Sequence, residues 1–482
     1  MTKPTLPDGL VAVVKRDCET CRMVVPVLRR LAAAGELTVY TQDDADFPGE
    51  PRAVLDGDLA VSWHHAIDTV PTLIRVRDGL EIERTVGWLR TDWEQLAGVR
   101  GLGADLPPFR PGCGSMSVDP DRVDELRVRH SGGRLQSRRI EIADAEDELE
   151  MMFTRGWADG LPVVPPTEQR VLAMLTGTTR APDEIVAIVP PDLAEVTVEK
   201  IAIAAVMAGC RPEFLPWVLT AVEAACTDEF NMHGVLATTM PVAPVLVCSG
   251  PGTRAIGMNS GVNALGQGNR ANSTIGRALQ LVVRNVGGGR PGEVDRATHG
   301  NPGKLGFCFA ENDVDSPFGT LAGQLGVEPG ADAGTDVVTV FAGEAPRCVV
   351  DQLSRTPESL AGSLAAQLRV LHHHKLVLAF DAILVVGPEH ARVFAEAGWD
   401  RERIIAELHA RLTTPAAALE RGTDGIAEGI PAGFGDVSLP KFTPDGLMLT
   451  YAGGGAGLFS TIIAGWVNGD RGSRPVARAV RY

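Results

Sequence analysis

Hydrophobic and polar positions along the first hundred residues fall into short buried strands and amphipathic helices. Leu10–Val14 (LVAVV) is an unbroken apolar run with the length of a buried strand. Val24, Val25, Val27, Leu28 and Leu31 then share one helical face, closed by Gly35, with Pro26 expected to kink that helix or mark its first turn. Leu37–Tyr40 predicts a second strand, residues 43–57 an acidic loop, and residues 61–67 a helix. Thr72–Val76, the Asp78-Gly79 turn and Leu80–Val86 predict a hairpin, and residues 91–99 a closing helix. The predicted order is βαβαββα.

Residues 101–120 (GLGADLPPFRPGCGSMSVDP) break this pattern. Their Gly and Pro content predicts a linker or extended arm, carried on to residue 138. Residues 140–155 alternate acidic and apolar positions and predict a helix, followed by the rigid segment DGLPVVPPT at 159–167. Beyond it helices (198–208, 214–225, 274–286, 360–372, 389–397) alternate with strands (242–248, 337–341, 382–386). That alternation predicts an α/β domain over 139–482 with a mostly parallel or mixed sheet, after a smaller α/β domain over 1–100.

The chain has 482 residues, more than one compact domain holds, and 44% hydrophobic residues supply large cores. A net charge of -16 repels phosphate backbones and argues against nucleic acid as a partner. The opening MTKPTLPDG lacks the apolar core of a signal peptide, and no run of about 18 apolar residues would span a membrane, so a cytoplasmic protein is expected. Eight cysteines scattered through such a chain do not form a disulfide scaffold; by default they are small buried hydrophobes.

Cys18 and Cys21 are the exception. Cys18 stands where a strand gives way to a helix, beside Lys15 and Arg16, a setting that favours a thiolate. Cys21, one turn on, is placed to resolve a mixed disulfide. Half a zinc site or two inert thiols are the alternatives. Zinc calls for a second Cys or His pair, and within this domain only His64 and His65 come near.

The element order, the CETC sequence at a strand–helix junction and Val70-Pro71-Thr72 before a strand together resemble the thioredoxin superfamily over residues 9–100. The resemblance implies a thioredoxin-like fold and a redox-active Cys18–Cys21 disulfide. It also implies a cis Pro71 facing the dithiol and a Val70 that contacts substrate backbone. Asp17 before Cys18 and the inner pair Glu19-Thr20 depart from thioredoxin itself, which implies a dedicated rather than general disulfide reductase.

Residues 249–306 hold fourteen glycines among polar residues. Such density marks backbone used at close approach or positive φ. GQGNRANST leads into an amphipathic helix, with Ser273 or Asn272 as its N-cap. Asn259, Asn269, Arg270, Asn272, Ser273 and Arg277 are the candidate anion-binding residues here, for a carboxylate, phosphate or oxyanion. The alternative is a tightly packed loop whose arginines pair with acids. A second Gly-rich turn lies in YAGGGAGLFSTIIAGW at 451–466, without Walker spacing. His233, His299, Lys304 and Glu311 are acid/base candidates, and Cys308 a candidate thiol. His372–His374 predict a helix-end cluster rather than a metal site, and no cofactor is implied beyond the dithiol.

DGLPVVPPTE, TVEKIAIAAVMAGC, NRANSTIGRAL and NVGGGRPGEVD resemble a bacterial family without assigned chemistry, whose members are often encoded near proteins with a Cys/Sec-Gly-Ser-Cys motif. Cys113-Gly114-Ser115 echoes that motif, with Met116 in its last place. The expectation is an oxidoreductase whose dithiol serves chemistry on a small anionic or sulfur-containing substrate, with Cys113 or Cys308 as the thiol through which the two domains act together, and with a thiol–disulfide partner protein possible. A lyase or hydrolase with a protective dithiol, and a thiol or metal carrier, are the alternatives.

Overall fold

A computed structural model describes all residues except 1–2, 36, 131–134, 141, 143–146, 328 and 330–334. The chain divides into two units, Met1–Arg134 and Leu135–Tyr482. The strands of the first are β1 (Gly9–Val14), β2 (Leu37–Thr41), β3 (Ala53–Leu55), β4 (Thr69–Val70), β5 (Thr72–Arg77), β6 (Leu80–Val86), β7 (Trp88–Leu89), β8 (Phe109–Arg110) and β9 (Cys113–Gly114).

The main sheet runs β3-β2-β1-β5-β6. Strands β1, β2 and β3 are parallel, and β5 and β6 antiparallel. β1 is central because Val11–Val14 are fully buried and suit a strand covered on both faces. Val27, Leu28 and Leu31 of the helix Val25–Ala34 cover it. Trp88 and Trp93 pack edge to face at 5.3 Å. Asp78 and Gly79 both take positive φ, as the tight β5–β6 turn requires.

Three expectations change here. The helix after Cys18 is two helices, Glu19–Met23 and Val25–Ala34, parted at Val24 with Pro26 in the first turn of the second, where its missing N–H costs nothing. The acidic stretch 43–57 contains β3, paired to β2 through Val39↔Ala53. Most consequentially, residues 101–118 are not a linker. β8 pairs with β7, β9 pairs with β4, and the Trp88 indole donates to the Pro107 carbonyl at 2.6 Å. Buried Gln42 donates to Ser62 and Ser115 at 2.8 and 2.6 Å, and Ser117 donates to the Ile67 carbonyl at 2.6 Å. Proline and glycine here shape close packing rather than looseness.

The strands of the second unit are β10 (Ile185–Val189), β11 (Ala194–Thr197), β12 (Ala243–Ser249), β13 (Phe307–Ala310), β14 (Val337–Gly343), β15 (Arg347–Val350), β16 (Phe380–Val386), β17 (Thr413–Pro415), β18 (Ser438–Pro440), β19 (Leu447–Tyr451), β20 (Phe459–Val467) and β21 (Val476–Ala479). The main sheet is mixed, in the order β13-β12-β14-β20-β16-β19, with β15 beside β20 and β21 beside β14. β12 and β13 are parallel, as are β16 and β19. The halves join at Gly343↔Gly465. Both residues must be glycine: a Cβ on Gly465 would lie 2.7 Å from the Phe341 ring, and one on Gly343 2.8 Å from Ile463.

The helices Val198–Ala208, Leu215–Ala225 and Arg270–Asn285 cluster with the first half, and Pro357–Arg369, Pro388–Glu396 and Arg401–Arg411 with the second. The helix expected over 140–155 begins at an Asp147 cap and runs Glu148–Thr154; part of the predicted range lies outside the described residues. Among the described residues no helix is long and apolar enough to cross a membrane.

Candidate functional site

β1 ends at Val14, and the chain turns into the helix Glu19–Met23 at Cys18. Cys18 is the N-cap, its sulfur accepting from the Cys21 N–H at 3.3 Å. Cys21 lies on the next turn and is fully buried. The Val70–Pro71 peptide is cis, and the Cys18 sulfur lies 3.5 Å from the Val70 carbonyl oxygen. The dithiol and the proline therefore meet from opposite ends of the first unit's fold.

Hydrogen bonding from the Cys21 thiol, opposed by burial and aided by the Cys113 thiol and the Cys21 and Thr20 amides, brings Cys18 down to about 5. Burial first, then the neighbouring Cys18 sulfur, drives Cys21 far upward. The pair thus has one thiolate and one retained proton at neutral pH, the division a nucleophile and a resolving thiol require. The expected help from Arg16 is absent: its guanidinium pairs with Asp44 at 2.7 Å.

The expected open arm around Cys113 is a strand edge. Cys113 pairs with Val70, which sets a third thiol beside Cys18. Its spacing from Cys18 in sequence carried no signal of this contact.

These features define a dithiol redox module of thioredoxin-like fold. The thioredoxins of Chlamydia trachomatis serovar D and of Chlamydia muridarum are each 37% identical to the chain over 85 residues, covering 17% of this chain and 74% of the relative. The chain belongs to the thioredoxin family through that stretch. No family model matches the chain, and no solved structure matches it significantly.

In the second unit the two Gly-rich segments meet. The Gly453 N–H donates to the Ser260 carbonyl at 2.9 Å, and a Cβ on Gly454 would lie 2.8 Å from Val262. They border a cleft of about 230 Å3 with Asn263, Gly387, Pro388, Ala456 and Ser460 among its lining. The cleft lies past the carboxyl ends of β16 and β19, where parallel strands of α/β sheets commonly place ligands.

The anion-site residues have other partners. The helix begins at Arg270, one turn before the predicted caps Asn272 and Ser273, because Asn269 accepts from the Asn272 N–H at 3.0 Å. Buried Asn272 accepts from the Asn259 N–H and donates to the Asn259 and Ala264 carbonyls, locking the loop. Arg270 donates to the Gly209 carbonyl at 2.9 Å, closing another helix. Arg277 holds Asp159 through two bonds of 2.8 and 2.7 Å and reaches the Leu161 and Pro162 carbonyls. These bonds pack the loop closely, and DGLPVVPPT is what Arg277 holds.

The acid/base candidates are not brought together. Lys304 pairs with Asp295 at 2.7 Å, while His233 and His299 are exposed. Cys308 is buried with its sulfur 3.9 Å from Cys248 rather than flanked by Lys304 and Glu311. Glu311 is buried and accepts from the Ser249 and Thr450 hydroxyls and the Leu321 N–H. Burial outweighs those bonds and pushes it up to about 7.

One neighbour of the cleft had no sequence signal. His390 is buried within the helix Pro388–Glu396; its Nδ1 is 2.8 Å from the Ser460 hydroxyl and its Nε2 3.1 Å from the Asp351 carbonyl. A carbonyl only accepts, so Nε2 carries the proton and Nδ1 accepts from Ser460. His372, at the expected helix-end cluster, instead meets the Gly465 carbonyl at 2.9 Å.

Proposed function

We propose that the chain is a thiol–disulfide oxidoreductase whose Cys18–Cys21 dithiol serves chemistry on a small anionic or sulfur-containing molecule held by the second unit. The observation that carries the reading is the Cys18 sulfur, held by the Cys21 N–H beside cis Pro71 and lowered to about 5. The Cys18 thiolate attacks one sulfur of a substrate disulfide, and the other sulfur leaves with the bonding pair. The negative sulfur that helps hold the proton on Cys21 is thereby gone, which frees Cys21 to deprotonate. Cys21 then attacks Cys18, closing their disulfide and releasing the second substrate thiolate. Two electrons pass from the dithiol to the substrate.

The cleft at the carboxyl ends of β16 and β19 supports a small-molecule site, and its size suits a ligand of few heavy atoms. A second reading, a hydrolase or lyase with a regulatory dithiol, is favoured by the Ser460–His390 pair, since an oriented imidazole can take a hydroxyl proton.

Anaerobic titration of the reduced chain with glutathione disulfide tests the first reading. One equivalent should be consumed with closure of Cys18–Cys21, and Cys18→Ser should consume none. Consumption unchanged in Cys18→Ser would overturn it. For the cleft, small carboxylates and thiols should raise the melting temperature of the wild type and not of Ala456→Trp, which fills the opening.

A further inference from the structure

The reading of Cys18 as nucleophile leaves Cys113 without a role, although the fold spends many contacts to place it. Cys113 and Gly114 form β9 and run antiparallel to Thr69 and Val70. Val70 is the residue whose carbonyl oxygen lies 3.5 Å from the Cys18 sulfur. Extended peptides dock by adding to free strand edges. The edge beside Cys18 is already filled, and the filling strand carries a cysteine in register with Val70.

That strand is pinned at every step. The Arg110 guanidinium pairs with Glu19, inside the CETC segment itself. Thr20, also within it, donates to the Pro111 carbonyl at 2.7 Å. At Gly112 the backbone passes so close that a Cβ would meet the Thr69 side chain and lie 2.7 Å from the Val70 carbonyl. The Ser115 N–H donates to the Asp68 carbonyl at 3.0 Å, and Gln42 holds Ser115 from below. The position of Cys113 is therefore preorganised from both sides.

The three sulfurs also differ in exposure. Cys18 and Cys21 are both buried, at 2% and 0% exposure, whereas Cys113 is half-buried. Cys18 has both as neighbours: the Cys21 N–H reaches its sulfur at 3.3 Å, and Cys113 stands in register with Val70, whose carbonyl lies 3.5 Å from that sulfur.

We propose that Cys113 is a second resolving thiol, so that Cys18 forms two alternative disulfides, an inner one with Cys21 and an outer one with Cys113. After a disulfide RSSR′ meets the Cys18 thiolate, R′S⁻ leaves and Cys18 carries SR. The Cys113 thiol gives its proton to solvent and attacks the Cys18 sulfur. The Cys18–Cys113 bond forms, RS⁻ leaves with the electron pair, and two thiols have supplied two electrons. Cys21 can then displace Cys113 from Cys18, an exchange with no net oxidation. Because β9 fills the strand edge, the substrates that suit this relay are small disulfides rather than extended peptides.

Removing Cys21 tests this in the full chain. Reduced Cys21→Ser protein is mixed with glutathione disulfide, free thiols are alkylated, and the peptides are mapped without reduction. The expected product joins the Cys18 and Cys113 peptides, with little glutathione retained. In Cys21→Ser/Cys113→Ser, glutathione should stay on Cys18 with a lifetime at least tenfold longer. Serine differs from cysteine by one atom, and an unchanged melting temperature in Cys113→Ser would show β9 kept. A stable glutathione adduct on Cys18 in Cys21→Ser, with Cys113 alkylated as a free thiol, would overturn the proposal while upholding Cys18 as nucleophile. Absence of any Cys18 adduct in both variants would overturn both.

Discussion

Asp159 and Arg277 lie 118 positions apart and form a two-bond pair with little solvent access. Removing the arginine leaves a desolvated carboxylate, so Arg277→Ala is expected to cost about 3 kcal/mol at neutral pH. Burial alone would raise Asp159, but the guanidinium more than offsets it, and the carboxyl ends below its ordinary value. A lowered folded value stabilises above the unfolded value of about 3.9 and is lost as pH falls below it. Denaturant midpoints of wild type and Arg277→Ala should therefore converge below about pH 4; an equal gap at pH 3 would show that packing, not charge, sets the cost. The same sign holds for Cys18, lowered to about 5. The stability of the reduced chain relative to Cys18→Ser should rise as pH climbs from about 5 toward 9, read by the same midpoints.

At the scale of elements, β9 is two residues long and rests on its neighbours. A side chain at Gly112 would collide with Thr69 and Val70, so Gly112→Ala should cost about 1–3 kcal/mol and free Cys113 for faster alkylation. An unaffected alkylation rate would mean that the strand is held elsewhere. This contrast marks what a sequence can show. Leu10–Val14 is legible because burial on both faces forces an unbroken apolar run. Ala53–Leu55 is not, since two of its three residues, Val54 and Leu55, are exposed. β9 has no pattern at all: pairing with a strand forty residues earlier makes it a strand, and Gly and Pro read as slack when they are in fact close contact. Asn269 was hidden as a cap because Asn272 and Ser273, one turn later, have equally suitable side chains. Cys18, Cys21 and Pro71 were legible because their spacing and flanking strands carry the chemistry locally. Cys113 beside Cys18 and His390 against Ser460 were not, because tertiary pairing alone creates them.

At the scale of the molecule, the buried apolar cluster of the first unit runs from Leu6 to Leu102, and the second unit has buried apolar clusters of its own. Each of the two units is expected to unfold as its own cooperative body. Calorimetry should show two transitions, only one of which shifts on oxidation of the dithiol; a single transition moved as a whole would indicate one cooperative body.

The central claim is that Cys18 is the thiolate and Cys21 the retained thiol. Alkylation of the fully reduced chain across pH 4 to 10, with each modified cysteine identified by peptide mass, measures this directly. The structure predicts that Cys18 reacts first, along a titration curve with its midpoint at about 5, while Cys21, whose thiol is driven upward by burial and the Cys18 sulfur, stays unreacted. Reaction of Cys21 before Cys18, or a Cys18 midpoint near the ordinary thiol value of about 8.5, would contradict the account.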